Sequence, residues 1–253
     1  FFFALIAFGV LLLFNYKIDT SIAVSHTTSV FALFLISSVF IHKYVFPISR
    51  NTTYKTKSFI NDSLPMLFSA TMTVFLGWTD TIILGIFSDS STVGMYNVVL
   101  KIAVLMSFTL QAINSILAPK LSHAFHNNDL TLFHKLVKYS TKVNFIISLV
   151  VVVFLIVFRN KILMIFGEEF LSVSNTLIIL CIGQLFNALC GPVGTILQMT
   201  GHHKVFRNIL FVALLLNITL NLSLIHKMGI NGVAISTAIS LAFWNIVALY
   251  YTR

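Results

Sequence analysis

The chain has 253 residues, of which 58% are hydrophobic and only 9% are charged, and its formal net charge is +9. Soluble domains carry about 25% charged residues on average, so this chain has too few polar side chains to cover a soluble surface. Its seven acidic residues leave little material for a multi-carboxylate metal site or a pair of catalytic acids, which excludes most hydrolytic chemistry. The lysines and arginines stand between apolar runs, where membrane topology explains them, so we expect no nucleic-acid partner.

Long apolar stretches follow one another along the chain. A bilayer core of roughly 30 Å needs about 20 apolar residues per helix, and backbone groups that face lipid must be satisfied within their own segment. Eight helical spans are therefore predicted, at residues 1–14, 23–41, 64–87, 93–117, 143–158, 173–198, 206–225 and 230–251. The predicted fold class is all-α, a polytopic transmembrane helix bundle. Because the chain begins at Phe1 inside an apolar run, we expect its first span to be a truncated helix of a longer protein.

Basic residues accumulate in alternate connections between these spans. The connections 42–63, 118–142 and 199–209, together with the C-terminal Arg253, hold most of the 16 lysines and arginines. Because positively charged loops stay in the cytoplasm, these connections and the C-terminus are placed there, and the hairpin at 88–92 is placed outside. The prediction is a multi-pass protein of the cell inner (cytoplasmic) membrane.

The connection 118–142 carries an amphipathic pattern. Its apolar residues recur at helical spacing opposite lysines; they are Leu132, Phe133, Leu136 and Val137. A stripe of this kind is typical of a helix that lies in the membrane interface. We therefore expect an interfacial helix near 120–142.

Asp80 and Lys101 lie well inside predicted spans. An ionised side chain there costs at least about 2.5–3.5 kcal/mol unless it is paired or hydrated, so neither should face lipid. Counted from the predicted helix ends at about 1.5 Å per residue, the two lie at similar depth on adjacent helices, which makes an ion pair feasible. Such a pair would either hold the hairpin together or break during transport and couple H⁺ or Na⁺ to it.

Amide side chains occupy the later spans. Gln184 and Asn187 lie one turn apart, and Asn217 and Asn221 are spaced i, i+4. Amides suit sugar hydroxyls because they both donate and accept hydrogen bonds. They serve equally to join neighbouring helices inside a membrane. Substrate contact and helix packing both remain open for these four residues.

Two further features fall near the sixth span. Gly191 and Pro192 stand in mid-span, where proline removes a backbone bond and should kink the helix, either as a hinge for transport or as a static bend. Lys204 and Arg207 follow at the predicted cytoplasmic mouth. They would attract a pyrophosphate or simply anchor the helix at the inner surface.

Histidines occur in groups in two connections: His123, His126 and His134 in one, His202 and His203 in the other. Neither spacing is a recognised ligand set. We therefore expect no metal site and no cofactor.

An ordered series of motifs begins near the third span. It comprises Leu64-Pro65 at a helix start, Asp80 followed by Gly85, Val93-Gly94 and Tyr96, Ala118-Pro119-Lys120, Gly191-Pro192 to Gly201-His202-His203-Lys204, and Met228-Gly229-Ile230-Asn231-Gly232-Val233-Ala234. In order and spacing it resembles the polysaccharide (O-antigen type) flippases, the polysaccharide transporter branch of the multidrug/oligosaccharidyl-lipid/polysaccharide exporter superfamily. The likeness covers nearly the whole chain from Asn61 onward.

The resemblance implies a twelve-helix transporter whose two lobes rock about a central cavity in alternating access. Residues 1–45 would then hold the last two helices of the first lobe, 46–62 a cytoplasmic linker and 63–253 the six-helix second lobe. The implied cargo is a polyprenyl-pyrophosphate-linked oligosaccharide, moved outward for O-antigen, capsule or exopolysaccharide synthesis. The implied partners are this lipid-linked oligosaccharide, membrane lipid, H⁺ or Na⁺, and a glycan polymerase with other assembly proteins.

Two alternatives remain beside this function. A related exporter of drugs or of a cell-wall lipid precursor would share the fold. A membrane-embedded polymerase or glycosyltransferase would need a large extramembrane loop with arginine, histidine or acids. The sequence lacks such a loop, so we expect a transporter and not an enzyme.

Overall fold

The structure, a computed structural model, describes residues 18–44 and 56–252. The chain divides into two compact units, residues 1–55 and 56–253, and the first contains helix α1, Ile18–Tyr44. The predicted span at 1–14 lies outside the described residues, as does the predicted linker up to residue 55. Helix α2 begins at Thr56, so residues 56–62 of the predicted linker are helical.

The second unit is built from helices, and no strand occurs in the described ranges. In chain order these are α2 (Thr56–Phe87), α3 (Ser90–His126), α4 (Leu130–Met164), a short 3₁₀ helix (Glu168–Val173), α5 (Ser174–Cys190), α6 (Val193–Met199) and α7 (His203–Tyr251). The all-α prediction is confirmed.

Five helical stretches of the described residues are long and apolar enough to cross a membrane. The last of them is α7, whose 49 residues would extend about 74 Å if straight, more than twice a bilayer core. It is broken at Gly229, where φ is 54° and ψ is −133°, a backbone conformation that glycine adopts readily. The predicted spans 206–225 and 230–251 lie on either side of this break. The totals of eight spans and twelve helices stay predictions.

The turn between α2 and α3 marks one end of the second unit, here named the turn end. Asp89 caps α3 there, accepting hydrogen bonds from the hydroxyl of Thr92 at 2.6 Å and from its backbone N–H at 3.3 Å. Both bonds lower the pKa of Asp89 below its ordinary value, and the bond from the Thr92 hydroxyl has the larger effect. The opposite end contains the turn between α3 and α4 and exposes Lys120, Lys135 and Lys138, so it is named the basic end.

Apolar side chains cover both the inside and the outside of this unit. Buried ones such as Leu84, Val99 and Leu177 form a core near the turn end. Others point outward, among them Phe108, which is 73% exposed, and Ile86, which is 69% exposed. An apolar outer surface on this scale fits contact with lipid and not with water.

The residues of the predicted interfacial helix near 120–142 are divided between two long helices. Residues 118–126 continue α3 and residues 130–142 open α4, so the connection between spans is a short turn between two long helices. Phe133, Leu136 and Val137 pack against Leu117 and Leu121 of α3. The apolar stripe is therefore used in helix packing, which requires the same spacing as contact with a membrane surface.

Candidate functional site

A cavity of about 1070 Å³ lies inside the second unit. It is lined by residues of α2, α3, α5, α6 and α7, and most of its wall is apolar. Its polar lining includes Ser69, Thr73, Asp80, Ser107, Gln111, Asn114, Gln184, Asn187, Gln198, Asn217, Thr237 and Ser240. Such a space within a helical membrane unit can hold a polar solute away from lipid.

Asp80 is 1% exposed and lies at the centre of a hydrogen-bond network. The Tyr96 hydroxyl donates to Oδ2 of Asp80 at 2.5 Å, and the Asn221 amide donates to Oδ1 at 2.8 Å. The Thr237 hydroxyl donates a short bond to Oδ2 as well. Three donors from α3 and α7 thus converge on one carboxylate of α2, an arrangement that satisfies a buried ionised acid.

The network continues along α7. Asn221 also donates to Oδ1 of Asn217 at 3.1 Å, and the Asn217 amide contacts the Thr237 hydroxyl at 3.5 Å. The Oδ1 atom of Asn221 is buried without a hydrogen-bond partner among the described residues. The structure therefore joins the predicted site residues Asp80, Asn217 and Asn221 and adds Tyr96 and Thr237.

Lys101 does not belong to this network, so the predicted Asp80–Lys101 ion pair is wrong. The error arose from the helix start: α3 begins at Ser90 and not near Val93. Asp80 lies seven residues before Phe87, the end of α2, and Asn97 lies seven residues after Ser90, the start of α3, so these two residues are at similar depth. Lys101 is four residues further along α3 and therefore lies about 6 Å deeper than Asp80. Two direct hydrogen bonds join α2 and α3 instead: the Tyr96 hydroxyl donates to Asp80, and the Thr81 hydroxyl donates to Oδ1 of Asn97 at 3.1 Å.

The Lys101 side chain is exposed and lies in a second, shallower space of about 480 Å³ on the outer side of α2 and α3. We name it the Lys101 groove. Its other lining residues include Trp78, Thr81, Asn97, Phe108 and Gln111. Four residues, Gly77, Leu100, Val104 and Gln111, line both the groove and the cavity. The two spaces therefore adjoin each other between α2 and α3.

The amides of α5 border the cavity. Gln184 accepts a hydrogen bond from the Ser107 hydroxyl of α3 at 2.7 Å, so it joins two helices as well as lining the space. Asn187 and Asn114 of α3 also line the cavity, and the Oδ1 atom of each is buried without a partner in the described structure. Asn114 was not predicted from the sequence, because it lies near the end of the predicted fourth span, 93–117.

Gly191 and Pro192 separate α5 from α6, so the sixth predicted span is interrupted and not merely bent. Gly191 has φ of 74° and ψ of −153°, and Val193 starts the next helix. Asn144 of α4 donates to the carbonyl of Ala188 at 3.2 Å, in the last turn of α5. The break therefore sits against α4 and beside the cavity, where both residues of the Gly-Pro pair line the wall.

Lys204 and Arg207 lie in the first two turns of α7, at the basic end, and neither lines the cavity. Arg207 bonds the side chain of Asn208, and Lys204 is exposed. In the part of the chain that the structure describes, no three His, Cys, Asp or Glu side chains are grouped to hold a metal.

Known proteins are similar to this chain in sequence and in fold. The chain is 26% identical over 196 residues to the Haloferax volcanii "Probable low-salt glycan biosynthesis flippase Agl15", covering 77% of this chain and 42% of that protein. It is 23% identical over 252 residues to the Staphylococcus aureus "Capsular polysaccharide biosynthesis protein CapF", covering 98% of this chain and 63% of that protein. The chain thus spans about half the length of these relatives.

Two solved structures have the same fold. A crystal structure of a MATE mutant superposes with a TM-score of 0.71 at 15% identity, covering 99% of this chain and 59% of that one. An outward-facing multidrug resistance MATE family transporter of the MOP superfamily superposes with a TM-score of 0.63, also at 15% identity, covering 93% of this chain and 55% of that one.

The family profile named MatE matches residues 65–223, well over half of the chain. This range includes the Asp80 network apart from Thr237, both residues of the Gly-Pro break and all cavity-lining amides. It confirms the family predicted from the sequence motifs. The chain belongs to the MatE family of membrane transporters.

Proposed function

We propose that this chain forms part of a flippase that moves polyprenyl-pyrophosphate-linked oligosaccharide across the cytoplasmic membrane by alternating access, for O-antigen, capsule or exopolysaccharide synthesis. The observation that carries the proposal is the polar cavity inside an apolar helical unit, adjoining a groove with one lysine. The names of the relatives Agl15 and CapF, a glycan flippase and a capsular polysaccharide biosynthesis protein, support the same cargo class.

The cargo poses a physical problem that these two spaces address. A sugar hydroxyl without a hydrogen-bond partner costs several kcal/mol in hydrocarbon, so the head group needs a polar path beside lipid. The cavity supplies amide and hydroxyl groups from α2, α3, α5 and α7. Amides both donate and accept, as sugar hydroxyls do.

The diphosphate of the cargo requires a positive charge. Lys101 is exposed in its groove and forms no salt bridge with a described residue, and an ammonium at membrane depth is stable only where water or an anion reaches it. We assign Lys101 to the diphosphate. Lys204 and Arg207, exposed or half-exposed at the basic end, are assigned to its first capture from the cytoplasmic side.

The Asp80 network is assigned to the coupling ion, either H⁺ or Na⁺. It gathers one carboxylate, two amides and two hydroxyls, and one oxygen, Oδ1 of Asn221, has no donor. Oxygen atoms of this kind accept a proton or coordinate a hard cation. Since α2, α3 and α7 all contribute, occupancy of the network would change how these helices pack, which is what coupling to rocking requires.

The test is loss of the gene in its source organism. A flippase of this class predicts that polyprenyl-linked repeat units accumulate on the cytoplasmic face of the membrane and that surface glycan falls, with both defects reversed by the full-length gene. A drug exporter, the second candidate, is favoured only by the apolar part of the cavity wall. It predicts normal glycan and a raised sensitivity to amphiphilic drugs. A precursor exporter predicts accumulation of the cell-wall lipid instead.

Location and assembly follow from the same proposal. The basic end of the second unit would face the cytoplasm together with the C-terminus, and the turn end would face outside, as the distribution of lysines favours. A glycan polymerase and other assembly proteins would receive the repeat units on the outer side.

A further inference from the structure

Two residues that line the cavity, on different helices, each carry a buried amide oxygen without a hydrogen-bond partner. The Oδ1 atoms of Asn114 in α3 and Asn187 in α5 are buried and accept no hydrogen bond from a described residue. A buried acceptor without a donor costs about 1–3 kcal/mol. A ligand hydroxyl in the cavity would satisfy either oxygen once the amide group turns toward the cavity.

The charge of the cavity decides which ligand fits. Asp80 is the single charged side chain among the described residues that line it, and its carboxylate already accepts bonds from Tyr96, Asn221 and Thr237. Lysine and arginine are absent from that lining. The cavity therefore offers acceptors to a neutral, hydroxyl-rich molecule and offers no counter-charge to a phosphate.

An aromatic surface completes the lining. Trp244 of α7 lies at the cavity, held edge to face against Phe206 with ring centroids 6.2 Å apart. Gly194 leaves room for both rings, since a Cβ there would lie 3.2 Å from Phe206 and 3.7 Å from Trp244. One face of a sugar ring presents C–H groups, which pack well on the electron-rich face of an indole.

The position of the cavity matches the structure of the proposed cargo. Its volume of about 1070 Å³ is at the upper end of the roughly 300–1,000 Å³ of pockets that enclose drug-sized ligands, so it holds more than a single small solute. It adjoins the Lys101 groove through Gly77, Leu100, Val104 and Gln111. A diphosphate in the groove would therefore place the attached sugars at the mouth of the cavity.

We propose that this cavity, within the second unit itself, is the glycan-binding site of the protein, with Trp244 as the stacking surface and Asn114 and Asn187 as hydrogen-bond acceptors. Its ligand class is a neutral, hydroxyl-rich sugar segment. The inference rests on the proposed function, because the diphosphate and its lipid bring the sugars to this place.

The test measures binding of two lipids to the full-length protein in nanodiscs. The probes are the lipid-linked repeat unit purified from the deletion strain and undecaprenyl diphosphate without sugar. Wild-type protein is expected to prefer the glycosylated lipid. Trp244→Leu should reduce that preference about tenfold, equal to a loss of about 1.4 kcal/mol, and should leave the affinity for undecaprenyl diphosphate unchanged.

Three variants serve as controls. Trp244→Phe keeps an aromatic face and should retain most of the preference. Ile246→Ala changes a side chain that is 52% exposed on the outer side of the same helix turn, and should have no effect on either lipid. Lys101→Ala should weaken the binding of both lipids by the same factor, because Lys101 is assigned to the diphosphate that they share.

The outcomes separate the two proposals. If no lipid-linked repeat unit accumulates in the deletion strain, the proposed function fails and the glycan site fails with it. If the lipid accumulates and binds but Trp244→Leu leaves the preference intact, the glycan site alone is overturned. If Trp244→Leu lowers the affinity for both lipids equally, the cavity binds the isoprenoid chain or another apolar ligand, and the glycan-site proposal is also overturned.

Discussion

A Cβ atom on Gly191 would lie 2.2 Å from the hydroxyl oxygen of Thr141 and 3.0 Å from the Cβ of Thr141. Helix α4 therefore contacts the break between α5 and α6 at a distance that only glycine permits. Asn144, three residues further along α4, donates to the Ala188 carbonyl on the other side of the same break. The interruption of the sixth predicted span is thus held by packing against α4.

Gly191→Ala is expected to destabilise the protein more than Gly201→Ala does. Both glycines have positive φ, 74° and 81°, so the backbone strain of alanine is similar at each. Nothing lies within 4 Å of a Cβ on Gly201, however. The additional steric cost at Gly191 should be about 1–3 kcal/mol, measured as a lower melting temperature of the purified full-length protein. Adding Thr141→Ala should recover part of it, and equal losses at the two glycines would contradict the packing described.

Pro192→Ala tests whether the break is a hinge. Gly191 and Asn144 define the interruption without help from the proline, so the substitution is expected to leave the melting temperature nearly unchanged. A hinge would then show itself as slower glycan export at normal protein abundance, because alanine removes the constraint on φ at the residue that follows Gly191. Normal export would leave the break as a static feature of packing.

Much of this fold is predictable from apolar spacing, and much of the site is not. The depth of Asp80 follows from its position in an apolar run, which predicts that it avoids lipid. Its partners Asn221 and Thr237 are 141 and 157 residues away along the chain. Contacts between residues so far apart leave no repeating pattern in the sequence. Asn217 and Asn221 could be predicted, because amides spaced i, i+4 in an apolar span are typical of substrate contact or of hydrogen bonding between helices.

A sequence pattern identifies the apolar face of a helix but not what covers that face. The stripe of Phe133, Leu136 and Val137 suits a membrane surface or a neighbouring helix equally, and the structure places it on α3. For Lys101, a start of α3 three residues earlier than predicted was enough to shift which residue stands level with Asp80.

Cysteine labelling checks the orientation of the second unit. Cysteines at Ser90 and Lys227, near the turn end, should react with an impermeant thiol reagent in intact cells, and a cysteine at Lys138, at the basic end, should react only after permeabilisation. All three positions are exposed, so access is set by the membrane and not by burial. The native Cys181 and Cys190 are buried and provide the unreactive background. Labelling of position 138 in intact cells would reverse the topology.

Tyr96→Phe is expected to lower stability and retain export, whereas Asp80→Asn is expected to abolish ion-dependent export. Tyr96→Phe removes one of three donors, which should cost about 0.5–1.5 kcal/mol of stability, and leaves the carboxylate in place. Asp80→Asn puts an amide N–H₂ group among the hydroxyl and amide donors of Tyr96, Asn221 and Thr237. The expected result is loss of ion-dependent export for Asp80→Asn at any abundance, with export retained in Tyr96→Phe. Export by Asp80→Asn that still follows the ion gradient would remove the network from coupling.

Asp80 and Lys101 are expected to act independently, because the structure separates them into a buried network and an exposed groove. Asp80→Asn disturbs buried hydrogen bonds and should lower both abundance and export. Lys101→Gln changes an exposed side chain with no salt bridge to a described residue, so abundance should stay normal while glycan export falls. The charge exchange, Asp80→Lys with Lys101→Asp, should not restore either property, because it places an ammonium among three hydrogen-bond donors and a carboxylate beside the diphosphate. Lys161→Gln, at an exposed lysine over the Phe158 ring near the end of α4, is the matched control and should export normally. Immunoblots measure protein abundance, and surface glycan in the complemented deletion strain measures export.

Recovery of both abundance and export by the exchanged pair would mean that Asp80 and Lys101 do meet during the transport cycle.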